Sequence, residues 1–85
     1  MKHATAETLA QIPELLEQLR AIPGLIEKGP GVFYRKGRAF LHFHEDPAGL
    51  FADVRPGEEW VRIEVSGKEG QAEFMAEIRK CFIPE

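Results

Sequence analysis

The chain reads as an α+β two-layer sandwich, an antiparallel sheet of four to five strands with an N-terminal and a C-terminal helix packed on one face. Three observations predict this. Apolar residues recur at helical spacing at both ends of the chain, they alternate with polar residues through the middle, and the alternating runs are joined by very short connections. Connections of three to five residues permit hairpins and exclude parallel crossovers.

The elements follow in order. Between Thr5 and Ile22 the residues Leu9, Ile12, Leu15, Leu16, Leu19 and Ile22 fall three and four apart, one stripe of an amphipathic helix. Pro13 lacks an amide hydrogen and its ring clashes with the preceding turn, so the main helix is expected to start there, with 4–11 as a leading turn or kinked extension. Pro23-Gly24 ends it. A short apolar step at Leu25-Ile26 and a Gly29-Pro30-Gly31 turn precede the change of period. Four strands are then expected, from Val32 to Arg35, Ala39 to His44, Leu50 to Arg55 and Trp60 to Val65. Their separators are Lys36-Gly37, Asp46-Pro47-Ala48-Gly49 and Pro56-Gly57, all turn chemistry. From Glu69 to Phe82, Ala72, Phe74, Met75, Ile78, Cys81 and Phe82 return to helical spacing, with Glu73, Glu77, Arg79 and Lys80 for the wet side.

With 85 residues and no linker, repeat or low-complexity tract, the chain is expected to form one domain over 1–85, with its core at about 9–82. Eleven basic against fourteen acidic side chains give a net charge of -3, which argues against nucleic acid as a partner. The single cysteine, Cys81, has no internal disulfide partner and belongs to no zinc-finger spacing. No apolar run is long enough for a membrane span, and no signal-peptide pattern opens the chain, so a soluble, cytoplasmic protein is expected, with no membrane partner.

Side chains alternate along a strand, so the two faces of the sheet separate. Val32, Tyr34, Ala39, Leu41, Phe43, Leu50, Ala52, Val54, Val61, Ile63 and Val65 are expected on the helix-covered face. The opposite face then carries three cross-strand rows. One is Phe33, Phe40, Arg55 and Trp60; the second Gly31, His42, Asp53 and Arg62; the third His44, Phe51 and Glu64. Large aromatics among charges make a face too apolar to stand in water, so a partner is expected to cover it, a protein or a second copy forming a homodimer.

The chemistry on that face has several readings. His42-Phe43-His44 places two imidazoles on one side of a strand with Asp53 opposite His42, a start towards metal ligation by His42, His44 and Asp53. No third histidine is in register, because His3 lies at the start of the chain, so no metal or other cofactor is assigned. The His42, Asp53, Arg62 row can instead orient an imidazole as a general base, but Ser66 and Cys81 are badly placed as nucleophiles. Structural ion pairing is the favoured reading of the row. Arg55 between Phe40 and Trp60 suggests a cation–π sandwich. The glycines form no phosphate-cradling loop. The leading functional expectation is a non-enzymatic interaction or self-associating module using this face. The alternative is a small-molecule or metal-binding domain, a hydrolase among the options, using His42, His44, Asp53 and Arg62.

The strand Leu41-His42-Phe43-His44-Glu45-Asp46, then Gly49, the strand Ala52-Asp53-Val54, Trp60-Val61 opening the next and the closing amphipathic helix resemble the small bacterial "luciferase domain" family. The resemblance spans about Leu15 to Phe82. It implies an α+β fold and a polar patch at His42, His44 and Asp53, and brings no established reaction; the extra strands or loops of the family's longer form are missing here. The helix–sheet–helix order is also similar in architecture to frataxin-like domains. Glu7, Glu14 and Glu17 do not form their acidic ridge, so iron binding is not implied.

Overall fold

A computed structural model describes residues 2–82. The elements run β1 (Lys2–His3), α1 (Ala6–Leu9), α2 (Pro13–Arg20), β2 (Leu25–Gly29), β3 (Val32–Arg35), β4 (Arg38–Asp46), β5 (Gly49–Val54), β6 (Val61–Glu64) and α3 (Lys68–Phe82). As expected, Pro13 opens the main N-terminal helix, where its missing amide costs nothing. The preceding turn α1 is separately capped, the Thr5 hydroxyl accepting from the Thr8 amide at 3.3 Å.

The sheet is antiparallel and six-stranded, in the order β2-β3-β4-β5-β6, with β1 also paired to β4. One strand is an addition to the expected four to five, and the short strand expected at Leu25-Ile26 runs longer. The Leu25-Ile26 step extends into a full edge strand, β2, and residues 2 and 3 pair with Glu45 and His44 beyond the end of β3. Both helical regions lie on one face, α2 against β2 and α3 against β6. Between helices and sheet, Leu15, Leu19, Phe33, Leu41, Phe43, Val54, Val65, Phe74 and Ile78 are fully buried, with the Phe43 and Phe74 rings edge to face at 5.9 Å. The buried apolar side chains form one cluster.

One strand departs from the expected faces. The β3–β4 hairpin turns through Lys36 and Gly37, both at positive φ (52° and 78°), as a two-residue hairpin loop requires. Tyr34 then pairs with Ala39, but Phe33 pairs with Leu41, leaving Phe40 as an extra residue in β4. Such a bulge reverses the face of everything beyond it on one strand relative to the other. Phe33 and Phe40 therefore belong to the core, 0% and 4% exposed, and not to the open face. Val32, which pairs with His42, and Tyr34 and Ala39, which pair with each other, are half-buried on the open side. Val61 keeps its predicted face opposite Val54 but sits on the edge strand, 46% exposed.

Candidate metal centre

The open face of the sheet is built from β4, β5 and β6 in the register that the hairpins predict. His42 pairs with Asp53 and Asp53 with Arg62; His44 pairs with Phe51 and Phe51 with Glu64. Neighbours in such a row stand about 5 Å apart on one face, within reach of side-chain contact. In the first predicted row only Arg55 and Trp60 remain, with the Arg55 guanidinium 4.8 Å from the Trp60 ring. The partner expected for the other side of that sandwich, Phe40, is instead covered by Arg35 at 5.5 Å, on the helix face.

The N-terminal strand changes the site. His3 is the direct cross-strand partner of His44, so its ring projects beside those of His44 and His42, at centroid distances of 4.9 and 5.6 Å. His42 and His44 are themselves 4.5 Å apart. One nitrogen from each of the three imidazoles lies within 4.8 Å of the other two. This third histidine is the residue that sequence reasoning missed. A two-residue strand has no detectable alternation, and what holds it in place lies forty residues away. Glu45 Oε1 accepts from the Thr5 amide at 2.7 Å and from the Thr8 hydroxyl at 2.9 Å, while the Ala4 amide donates to the Phe43 carbonyl at 3.0 Å. The Thr5 amide bond, the largest influence, holds the Glu45 carboxyl below the usual carboxylate range.

Asp53 anchors the other side. The residue is 8% exposed, and its carboxylate accepts two hydrogen bonds from Arg62, from Nε at 2.7 Å and from Nη2 at 2.9 Å, which hold its pKa low against the opposing effect of burial. Its Oδ2 also approaches His44 Nε2 at 3.2 Å, off the direction of a hydrogen bond. The carboxylate thus serves His44 and Arg62, and not His42 as a direct orienting partner. His42 lies against Trp60, ring centroids 4.7 Å apart. Burial pushes the His42 imidazole below its ordinary pKa, and the neighbouring His44 adds to the shift. Neutral imidazole is the form that ligates a metal.

No family model, curated protein or solved structure matches the chain.

What the arrangement can do is therefore read from its donors. Nδ1 of His42 and both ring nitrogens of His44 are buried without a hydrogen-bond partner among the described residues. Buried polar atoms of this kind are uncommon in folded proteins. The other expected site residues are spread along the same face: Glu64 at the edge, bonded by the Ser66 hydroxyl at 3.2 Å, and Phe51 half-buried beside His44. Cys81 is half-buried away from this face, its thiol pushed up by burial and directed at the Glu77 carbonyl. No described helix is long and apolar enough to cross a membrane.

Proposed function

We propose that this chain is a binding domain for a divalent transition metal, held by His3, His42 and His44 on the open face of the sheet. The observation that carries the reading is the convergence of the three imidazoles, with ligand atoms mutually within 4.8 Å. In a tetrahedral zinc site with bonds of about 2.0–2.1 Å, ligand nitrogens stand roughly 3.3 Å apart, so the rings need close by only about 1.5 Å, a movement that side-chain rotation supplies. All-nitrogen donors favour zinc, cobalt, nickel or copper over magnesium and calcium. Three protein ligands leave a position for water or an exchangeable ligand, and a carboxylate behind one imidazole is the usual support for such a site.

The test is titration of the metal-free chain with zinc and with cobalt(II), following the histidine ring NMR signals and the visible cobalt band. One saturable equivalent is expected. His42→Ala or His44→Ala should abolish it, and Asp53→Asn should weaken it by about 10–100-fold, the size of effect seen when an orienting carboxylate is removed. Equal affinity in wild type and His3→Ala, or no saturable change at all, overturns the assignment.

A partner-covered face is the second reading. It rests on Ile26 and Trp60, 56% and 41% exposed, and is narrower than the sequence suggests because Phe33 and Phe40 lie in the core. Sedimentation at several concentrations, with and without zinc, tests it: a mass that stays at one chain throughout is the result that excludes a homodimer.

A further inference from the structure

A second cluster lies at the end of the sheet where the β3–β4 turn meets the loop after β5. A cavity of about 230 Å³ is lined there by Arg35, Lys36, Arg38 and Arg55, with Glu58 the one carboxylate among its lining residues. The chain as a whole is net negative, so four cations around one cavity are a local reversal of its charge. Like charges held together raise the energy of the folded state unless an anion joins them.

Two of the four are held in place by backbone carbonyls and aromatic rings. Arg35 donates to the Cys81 carbonyl at 2.9 Å and lies over the Phe82 and Phe40 rings at 4.9 and 5.5 Å. Arg55 donates to the Ala39 carbonyl and lies over the Trp60 ring at 4.8 Å. Neither has a carboxylate within ion-pair distance among the described residues; of the four, only Arg38 does, with Glu58 at 4.0 Å and both side chains largely exposed. Each guanidinium carries five donors in a fixed plane, so a single carbonyl bond leaves most of them for a ligand. Pre-placed guanidinium groups with unspent donors suit a tetrahedral oxyanion better than a carboxylate, which one arginine alone can satisfy.

We propose that this cavity is a binding site for a phosphate monoester, with Arg35 and Arg55 as the fixed walls and Lys36 and Arg38 as the mobile ones. It goes beyond the metal reading and stands without it. A monoester dianion, and not the diester of a nucleic acid or lipid backbone, matches four cationic residues lining a cavity of this size.

The experiment is an amide and side-chain NMR titration of the metal-free chain with inorganic phosphate, phenyl phosphate and dimethyl phosphate, against sodium acetate at matched ionic strength. Saturable shifts are expected with the first two at the amides of Lys36, Gly37 and Gly57 and at Nε of Arg55, together with a change in Trp60 fluorescence. The double substitution Lys36→Asn and Arg38→Gln, at exposed positions and with asparagine tolerant of the positive φ, should weaken phosphate at least tenfold while leaving the remaining spectrum in place. Shifts that follow acetate equally, affinity unchanged in the double variant, or dimethyl phosphate binding as well as phenyl phosphate would each overturn the proposal. Shifts confined to His3, His42 and His44 would do so as well.

Discussion

At the scale of single residues, the bulge at Phe40 decides more than any other feature of the sheet. Without it, Phe33 and Phe40 face outward and their loss costs little; with it, both are buried in the core, where Phe40 meets the Phe82 ring of α3 edge on at 5.8 Å. Phe33→Ala should therefore destabilise the chain by about 3–5 kcal/mol, a large share of the stability of so small a domain. Urea denaturation of the variant measures this, and a loss under about 0.5 kcal/mol, typical of surface positions, would place the ring outside. Trp60 stands in contrast. It lies against both the His42 ring and the Arg55 guanidinium but stays 41% exposed, so its fluorescence reports on both proposed sites.

At the scale of elements, short polar fastenings place the helices on the sheet. Arg20 at the end of α2 grips Glu27 in β2 through Nε at 2.8 Å and Nη2 at 3.1 Å. The Arg20 hydrogen bonds, with a further one from the Gly31 amide, hold the Glu27 carboxyl below its ordinary value against burial. A carboxylate with a depressed folded pKa stabilises the fold above its unfolded pKa of about 4.3, and that contribution fades as pH falls through the lower folded value. Arg20 is half-exposed, so the pair contributes only about 0.2–1 kcal/mol. Glu27→Gln should be less stable than wild type at pH 7 and in low salt, and the two melting curves should draw together below about pH 4. A gap that persists in acid would show that the charge is not the cause. Gly70 makes a second case. An alanine in a helix normally gains up to about 1 kcal/mol over glycine, but a Cβ at this position runs into the backbone carbonyl oxygen of Glu64. Gly70→Ala should cost about 1–3 kcal/mol by thermal melting, as overpacking does, reversing the usual sign.

At the scale of the whole molecule, the proposed metal joins the first strand to the middle of the sheet, so binding and folding are coupled. A ligand that binds only the folded chain at one hundred times its Kd stabilises it by about 2.7 kcal/mol, which for a domain of this length raises Tm by roughly 10–20 °C. Differential scanning fluorimetry with zinc should show a rise towards that range in wild type and a much smaller one in His3→Ala. Equal rises would mean that β1 takes no part. The same coupling makes Glu45, which holds the start of α1 and with it the approach of β1, a positioning residue for a centre it does not touch.

The sequence alone determined the class of fold, the single helix-covered face and the His42–Asp53–Arg62 and His44–Phe51–Glu64 rows. Each of these rests on a repeat of two or of about 3.6 residues, or on a turn whose length dictates its register, and such signals are local. Only the tertiary structure decided the bulge at Phe40, the docking of β1 and the gathering of Arg35, Lys36, Arg38 and Arg55 around one cavity. A bulge adds one residue without disturbing the apolar pattern on either side of it, and here both bulge neighbours, Phe40 and Leu41, are apolar. A two-residue strand has no period to read, and its partner lies forty residues along the chain. The three histidines meet because Glu45 and the Phe43 carbonyl hold the first few residues against β4, a contact between distant segments that no local pattern encodes.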